Sequence, residues 1–255
     1  MLDTLRHDAI LELRLARPPV NALDPALVRQ LRKEVEAAPA SGARAVLLSG
    51  RAGLFSAGLD VPALLELDRA GLAEFWHDFF GLCAALGTSP IPVAAAITGH
   101  SPAGGAVLSI FCDYRVMAVS PDPAKPFRIG LNEVQVGLTV PESIQFALRR
   151  LVGTYRAERL MVAGAMLESE RALGVGFVDE LAAVDDVVPR ALAWLGDLLK
   201  LPQHAMSATR LRARADLIHM FADPSKLSLD EFIDAWFGAE TQTTLRALVA
   251  RLKKG

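Results

Sequence analysis

Residues Pro92 to Ala118 read PVAAAITGHSPAGGAVLSIFCDYRVMA, and this stretch decides the fold. Val93 to Thr98 is a run of small apolar residues introduced by Pro90 and Pro92, the pattern of a buried strand. The turn GHSPAGG follows, and AVLSIFC leaves it as a buried helix. Cys112 to Val119 then reads as a further strand.

Working outward, the same alternation of strand and helix continues. Upstream, MLDTLRHDAILELRL enters an alternating pattern that predicts a half-buried strand over Ala9 to Leu15. RPPVNALD (Arg17 to Asp24) is a turn, and Asp24-Pro25 opens a helix to about Ala38, with an N-capping carboxylate and a proline suited to the first helical position. Ser41-Gly42 breaks the chain, Ala43 to Gly50 reads as a buried strand, and RAGLFSAGLD is a loop. Val61 to Leu86 predicts two amphipathic helices broken near Gly71. Downstream, Ser120 to Pro126 is a proline-rich loop, FRIGLNEVQVGLTVP carries a short strand and a turn, and Gly174 to Ala182 supplies another strand. Helices are expected over 142–152, 155–164, 187–200, 203–221 and 239–253. This order argues an α/β class. We divide it into a core over 1–195 and a helical region over 196–255 suited to covering a site and to assembly. The linker-like pieces at 120–126 and 222–225 are too short to force a boundary.

Composition narrows the function. The 255 residues are 52% apolar and 22% charged, enough for a sizeable core and unlike a disordered chain. The net charge is −2 with both signs interspersed, which argues against a nucleic-acid surface. No stretch approaches the ~20 apolar residues of a membrane span, and the N-terminus lacks an apolar leader, so a cytoplasmic protein is expected. Cys83 and Cys112 sit in apolar runs and read as buried free thiols. His7, His77, His204 and His219 do not cluster, and no metal is expected.

Two loops of small residues each follow a buried strand: Phe55-Ser56-Ala57-Gly58-Leu59-Asp60 and Ser101-Pro102-Ala103-Gly104-Gly105-Ala106. A strand that turns into a helix through such residues leaves backbone N–H groups unpaired at the helix start, and glycine lets a ligand approach them. Two N–H groups from different loops can meet at one oxygen, the geometry of an oxyanion hole. The chain has no GxGxxG in its first strand–turn–helix unit and no P-loop.

FSAGLD, then PVAAAITGHSPAGGAVLSIFCDYRVMA, then IGLNEVQVGL (Ile129 to Leu138) resembles the crotonase superfamily of enoyl-CoA hydratases and isomerases, most closely its mitochondrial-type Δ3,Δ2-enoyl-CoA isomerases. The likeness runs from RPPVNALD through GVGFVDEL and more loosely to the C-terminal helix. It implies a spiral of ββα units with a helical C-terminal region, and a homotrimer or dimer of trimers. It also implies an acyl-CoA substrate, with coenzyme A present only as part of that substrate and no permanently bound cofactor. By the same resemblance Leu59 and Gly104 offer the two oxyanion N–H groups. Val20, Ala22, Ser56, Ala57, Gly58, Asp60, Val61, Ala103, Gly105, Val107 and Asn132 are expected around the substrate, and Lys253 or Lys254 at the CoA phosphates.

Hydratases of this family carry two glutamates, one for water and one for proton transfer. The first of these positions falls here on Val107, next to Leu108, and the helix holds no carboxylate. The second is Glu133. One carboxylate can take a proton from C2 of a 3-enoyl thioester and return it to C4, which favours isomerisation to the 2-trans-enoyl thioester. Hydration, hydrolysis of an acyl-CoA, and non-catalytic acyl-CoA binding are the alternatives. The sequence departs from the family pattern at Thr98, where asparagine is usual, at His100, and in the longer 120–126 loop. His100 is expected to be structural, and Asp60 has a helix cap as its second reading. Phe75, Trp76, Phe79 and Phe80 share a helical face and read as core, with a border on the acyl tunnel as a second reading.

Overall fold

The computed structural model describes residues 1–223 and 229–252. Two sheets organise it. The larger contains β1 (Leu2–His7), β2 (Ile10–Leu15), β3 (Ala45–Ser49), β5 (Val93–Ile97), β7 (Tyr114–Ala118) and β10 (Glu180–Ala182), in that spatial order. Pairing is parallel from β2 onward, and β1 closes the edge as an antiparallel hairpin partner. The smaller holds β4 (Gly53–Leu54), β6 (Gly99–Pro102), β8 (Arg128–Gly130) and β9 (Leu167–Glu168).

Each of β3, β5 and β7 is followed by a strand of the smaller sheet and then by helix, which is the expected ββα spiral. The helices after these pairs are α2 (Val61–Leu65) with α3 (Arg69–Thr88), α4 (Gly104–Ile110), and α5 (Glu142–Val152). Every residue of β3 and β5 is buried, as strands covered on both faces must be. On α1 (Pro25–Ala37), the Asp24 carboxylate accepts the Leu27 N–H at 2.8 Å while Leu27, Val28, Leu31 and Val35 face the core.

Several boundaries differ from the sequence reading. The break between α2 and α3 falls at Glu66–Asp68. Gly71 lies in the first turn of α3, where its N–H donates to Asp68 at 2.8 Å. The helix expected over 203–221 is two, α9 (Gln203–Ala213) and α10 (Ala215–Ala222), broken at Arg214. Strands β1, β4, β6 and β9 and the helices α7 (Ser169–Gly174) and α11 (Leu229–Trp236) were not expected. The other helices are α6 (Thr154–Val162), α8 (Val187–Leu199) and α12 (Ala239–Leu252). The Ser225 end of the expected linker, Lys253 and Lys254 lie outside the described residues. Among those described, no helix is long and apolar enough to cross a membrane, and no cluster of three or more His, Cys, Asp or Glu is arranged to hold a metal. Both cysteines are buried free thiols, and burial pushes the Cys112 thiol up to about 12.

The break at Arg214 lies over a buried ion cluster. Arg210 and Arg214 both turn inward onto the Asp113 carboxylate, at 2.8 Å each. Asp113 also accepts the Val93 N–H at 2.8 Å, and Arg214 donates to the carbonyls of Gly87 and Phe111 at the ends of α3 and α4. These three side chains tie the C-terminal helices to the strand β5 and to the helix α4. Removing the shared anion leaves two guanidinium groups buried without their partner. Asp113→Ala is therefore expected to lower the unfolding free energy by about 3–5 kcal/mol, read from urea denaturation.

Candidate active site

The turn at 17–24 is zipped onto the first small-residue loop. Leu23 N–H donates to Gly58 O at 2.8 Å, Asp60 N–H to Leu23 O at 3.1 Å, and Ala57 N–H to Val20 O at 3.0 Å. Asn21 Nδ2 reaches Phe55 O at 3.1 Å, and Ser56 Oγ donates to Asn21 O at 2.7 Å while accepting the Gly58 N–H at 3.1 Å. Arg17 sits between two carboxylates, Asp24 at 3.0 Å and Asp60 at 2.6 Å. Asp60 in turn caps α2 through the Ala63 N–H at 3.1 Å. The residue beside Leu59 is thus held by an ion pair, a helix cap and a backbone bridge.

The second loop meets the first at the two amides of interest. A methyl group built on Gly58 would lie 3.4 Å from Gly104 N, and one built on Gly104 would lie 3.4 Å from Leu59 N. Among the described residues neither Leu59 N–H nor Gly104 N–H donates to a protein acceptor. Just before Gly104, Ala103 is held at φ 43°, a left-handed conformation that favours glycine. Such strain is of order 1–3 kcal/mol and persists only where the surroundings enforce it. Here the Ala103 N–H is fixed on Gly130 O at 2.8 Å, and Pro102 pairs with Gly130 across β6 and β8.

The same link positions Glu133. Gly130 ends β8, and Glu133 opens a short 3-10 turn over Glu133–Val136 that closes on Gly137 at φ 77°. Gly130 has no room for a side chain, since a methyl there would lie 2.2 Å from Ala165 O. Glu133 is only 7% exposed, and its Oε2 has no hydrogen-bond partner among the described residues. Burial pushes its carboxyl up to about 7.

Two cavities meet at Leu59, Glu133 and Leu138. The larger, of about 500 Å³, is walled by the 17–24 turn, the two loops and α12. The smaller, of about 20 Å³, runs inward from Gly104 between α3, α4, α5 and α11. Of the residues expected around a substrate, Val20, Ala22, Ala57, Asp60, Val61, Ala103 and Asn132 line the larger cavity. Val107 lines the smaller, as do Trp76 and Phe79, while Phe75 and Phe80 stay in the core behind them.

Three expected lining residues stand behind the walls instead. Ser56 is fully buried and spends its hydroxyl on the chain, as above. Gly58 is where the loops touch, facing Pro102 O. Gly105 faces Ser101 and Ser56, where a methyl would lie 2.9 Å from Ser101 Oγ. Their small size serves loop-on-loop packing. His100 has a structural setting: its Nδ1 accepts the Arg128 N–H at 3.3 Å and its ring meets Phe127 edge-on at 5.2 Å. Burial and then the Arg128 charge hold its pKa below the ordinary value.

Residues that sequence reasoning missed include Arg17, Leu248 and Leu252 on the larger cavity and Ile144 and Phe232 on the smaller. The helical spacing of Leu248 and Leu252 marks an apolar face, but nothing local says what it covers.

The model of the family described as enoyl-CoA hydratase/isomerase matches residues 6–248. Enoyl-CoA delta isomerase 1, mitochondrial, of Homo sapiens is 29% identical over 244 residues, covering 95% of this chain and 80% of that protein. The probable enoyl-CoA hydratase echA17 of Mycobacterium avium is 35% identical over 216 residues, covering 82% of this chain and 79% of that protein. The crystal structure of human mitochondrial delta3-delta2-enoyl-CoA isomerase superposes with a TM-score of 0.91 at 28% identity, over 99% of this chain and 98% of that one.

Proposed function

The chain belongs to the enoyl-CoA hydratase/isomerase family, of crotonase fold, and from that premise we propose that it isomerises 3-enoyl-CoA to 2-trans-enoyl-CoA with Glu133 as the single proton carrier. In this reading the thioester carbonyl accepts the Leu59 and Gly104 N–H groups, and the CoA arm lies in the larger cavity. Loss of a C2 proton to Glu133 moves negative charge onto the carbonyl oxygen, so the two amides bind the enolate better than the substrate. The electron pair then shifts to make the C2–C3 double bond, and C4 takes the proton back from the same carboxyl. No water or second acid is consumed.

The observation that carries this reading is a single carboxylate without an ion-pair or side-chain partner. Asp60 and Glu133 are the only acids on the described walls of the two cavities. Asp60 is engaged by Arg17 and by the α2 cap, while Val107, at the hydratase acid position, is 1% exposed and apolar. Hydration by two acids needs a second carboxylate, and the described walls offer none that is unpaired. The 35% identity to a probable hydratase keeps that activity as the rival to test.

Incubation of pure protein with 3-hexenoyl-CoA is expected to produce conjugated enoyl absorbance, faster than it hydrates crotonyl-CoA. Hydration at a comparable rate would establish the rival, and tight acyl-CoA binding without turnover would establish a binding protein. Because Glu133 must be ionised to accept the C2 proton and its pKa lies at about 7, kcat/KM is expected to rise about tenfold per pH unit below that value and level off above it. A profile flat from pH 5.5 to 8.5 would assign proton transfer to another group.

A further inference from the structure

The walls of the smaller cavity bear on substrate length, an inference that rests on the acyl-CoA reading of the site. With the carbonyl at Leu59 and Gly104, carbons C2 to C4 lie beside Glu133. Everything beyond them must enter the smaller cavity, because the larger one takes the CoA arm. That space is about 20 Å³. It is a narrow space that ends on side chains of α3, α4, α5 and α11, so an acyl chain that passes C4 soon meets a wall.

The end of the chamber is built from interior residues. Trp76 and Phe79 on α3 are 2% and 1% exposed, and Phe232 on α11 is 8% exposed. The Trp76 ring meets Phe232 edge-on at 4.5 Å and Phe79 edge-on at 5.6 Å, and stacks on Phe80 at 5.8 Å. Val107 and Ile144 close the opposite side. No single rotamer change opens this end, since moving Trp76 breaks several ring contacts at once.

We propose that the protein selects short over long acyl-CoAs, and that Trp76, Phe79 and Phe232 set the limit. An open tunnel would behave otherwise: each added methylene would tighten binding about fourfold. A closed end gives a profile that turns over.

The test uses saturated butanoyl-, hexanoyl- and decanoyl-CoA, titrated into the protein by calorimetry. These ligands have no double bond, so the readout does not depend on isomerase chemistry. Decanoyl-CoA is expected to bind at least about tenfold more weakly than hexanoyl-CoA. Phe232→Ala and Phe79→Ala, on different helices, are expected to recover decanoyl binding by at least about tenfold with little change for butanoyl-CoA. Steady tightening through decanoyl-CoA in the wild type overturns the proposal, and so does an unchanged profile in the folded variants. If neither variant folds, the wild-type profile decides. A turnover in binding without any isomerisation of 3-hexenoyl-CoA leaves the length limit standing and removes the isomerase reading. Absence of binding by all three ligands removes both.

Discussion

Glu133→Gln is expected to lower the rate of 3-hexenoyl-CoA isomerisation by about 10²–10⁴-fold while making the protein more stable above neutral pH. Both effects follow from one fact. The carboxyl is buried at 7% exposure, and burial raises its pKa from the ordinary 4.5 to about 7. Glutamine keeps the shape of the side chain and cannot accept a proton, so the transfer from C2 loses its base. For stability, the folded protein holds this proton more tightly than the unfolded chain does. The associated stabilisation is complete below pH 4.5 and is lost as pH rises through 7. At pH 8 the ionised group costs about 3 kcal/mol, which the neutral glutamine avoids. Melting temperatures of the two proteins should therefore coincide near pH 5 and separate by pH 8, with the variant higher. An inactive variant that is also less stable at pH 8 would mean that Glu133 holds the fold and that its loss of activity is indirect. A fully active variant would remove the proposed chemistry altogether.

The two small-residue loops were legible from a local rule, whereas the choice of Leu59, Gly104 and Glu133 within them and beyond them came from the family resemblance. A strand that runs into small residues and then a helix exposes amides at a known place, but no local pattern marks Glu133 within GLNEVQVGL. What stayed hidden is the smaller sheet. Its strands β4, β6 and β9 are too short and too polar to show alternation. Gly99 has its reason only in space, where a methyl would lie 1.9 Å from the carbonyl carbon of Gly53. Small residues also do not say which way they face, so Ser56, Gly58 and Gly105 read as pocket and are packing. Arg17 sits in a recognised turn, yet its purpose appears only when Asp24 and Asp60 come together. Phe232 belongs to a helix that no motif announced, and its place opposite Trp76 is a property of the folded core.

Gly104→Ala should be the other severe substitution, and it separates the oxyanion reading from simple loop packing. The added methyl would lie 2.9 Å from Leu23 Cδ1, 3.3 Å from Leu59 Cδ2 and 3.4 Å from Leu59 N. The leucine tips can turn aside. The Leu59 amide cannot, because Asp60 N–H and Gly58 O on either side of it are bound to Leu23. The methyl therefore takes up space beside the amide that the carbonyl oxygen needs. Loss of one oxyanion donor lowers kcat by about 10²–10³-fold, and the same loss is expected here. Gly105→Ala is the matched control. Its methyl would press on Ser101 Oγ at 2.9 Å and Ser56 Cβ at 3.1 Å, away from both cavities. It should lower the melting temperature yet leave kcat of the folded fraction within a few fold. Equal losses of activity in the two variants would reduce the glycine pair to a packing device. A selective loss at Gly104 ties the rate to the amide that meets the substrate oxygen.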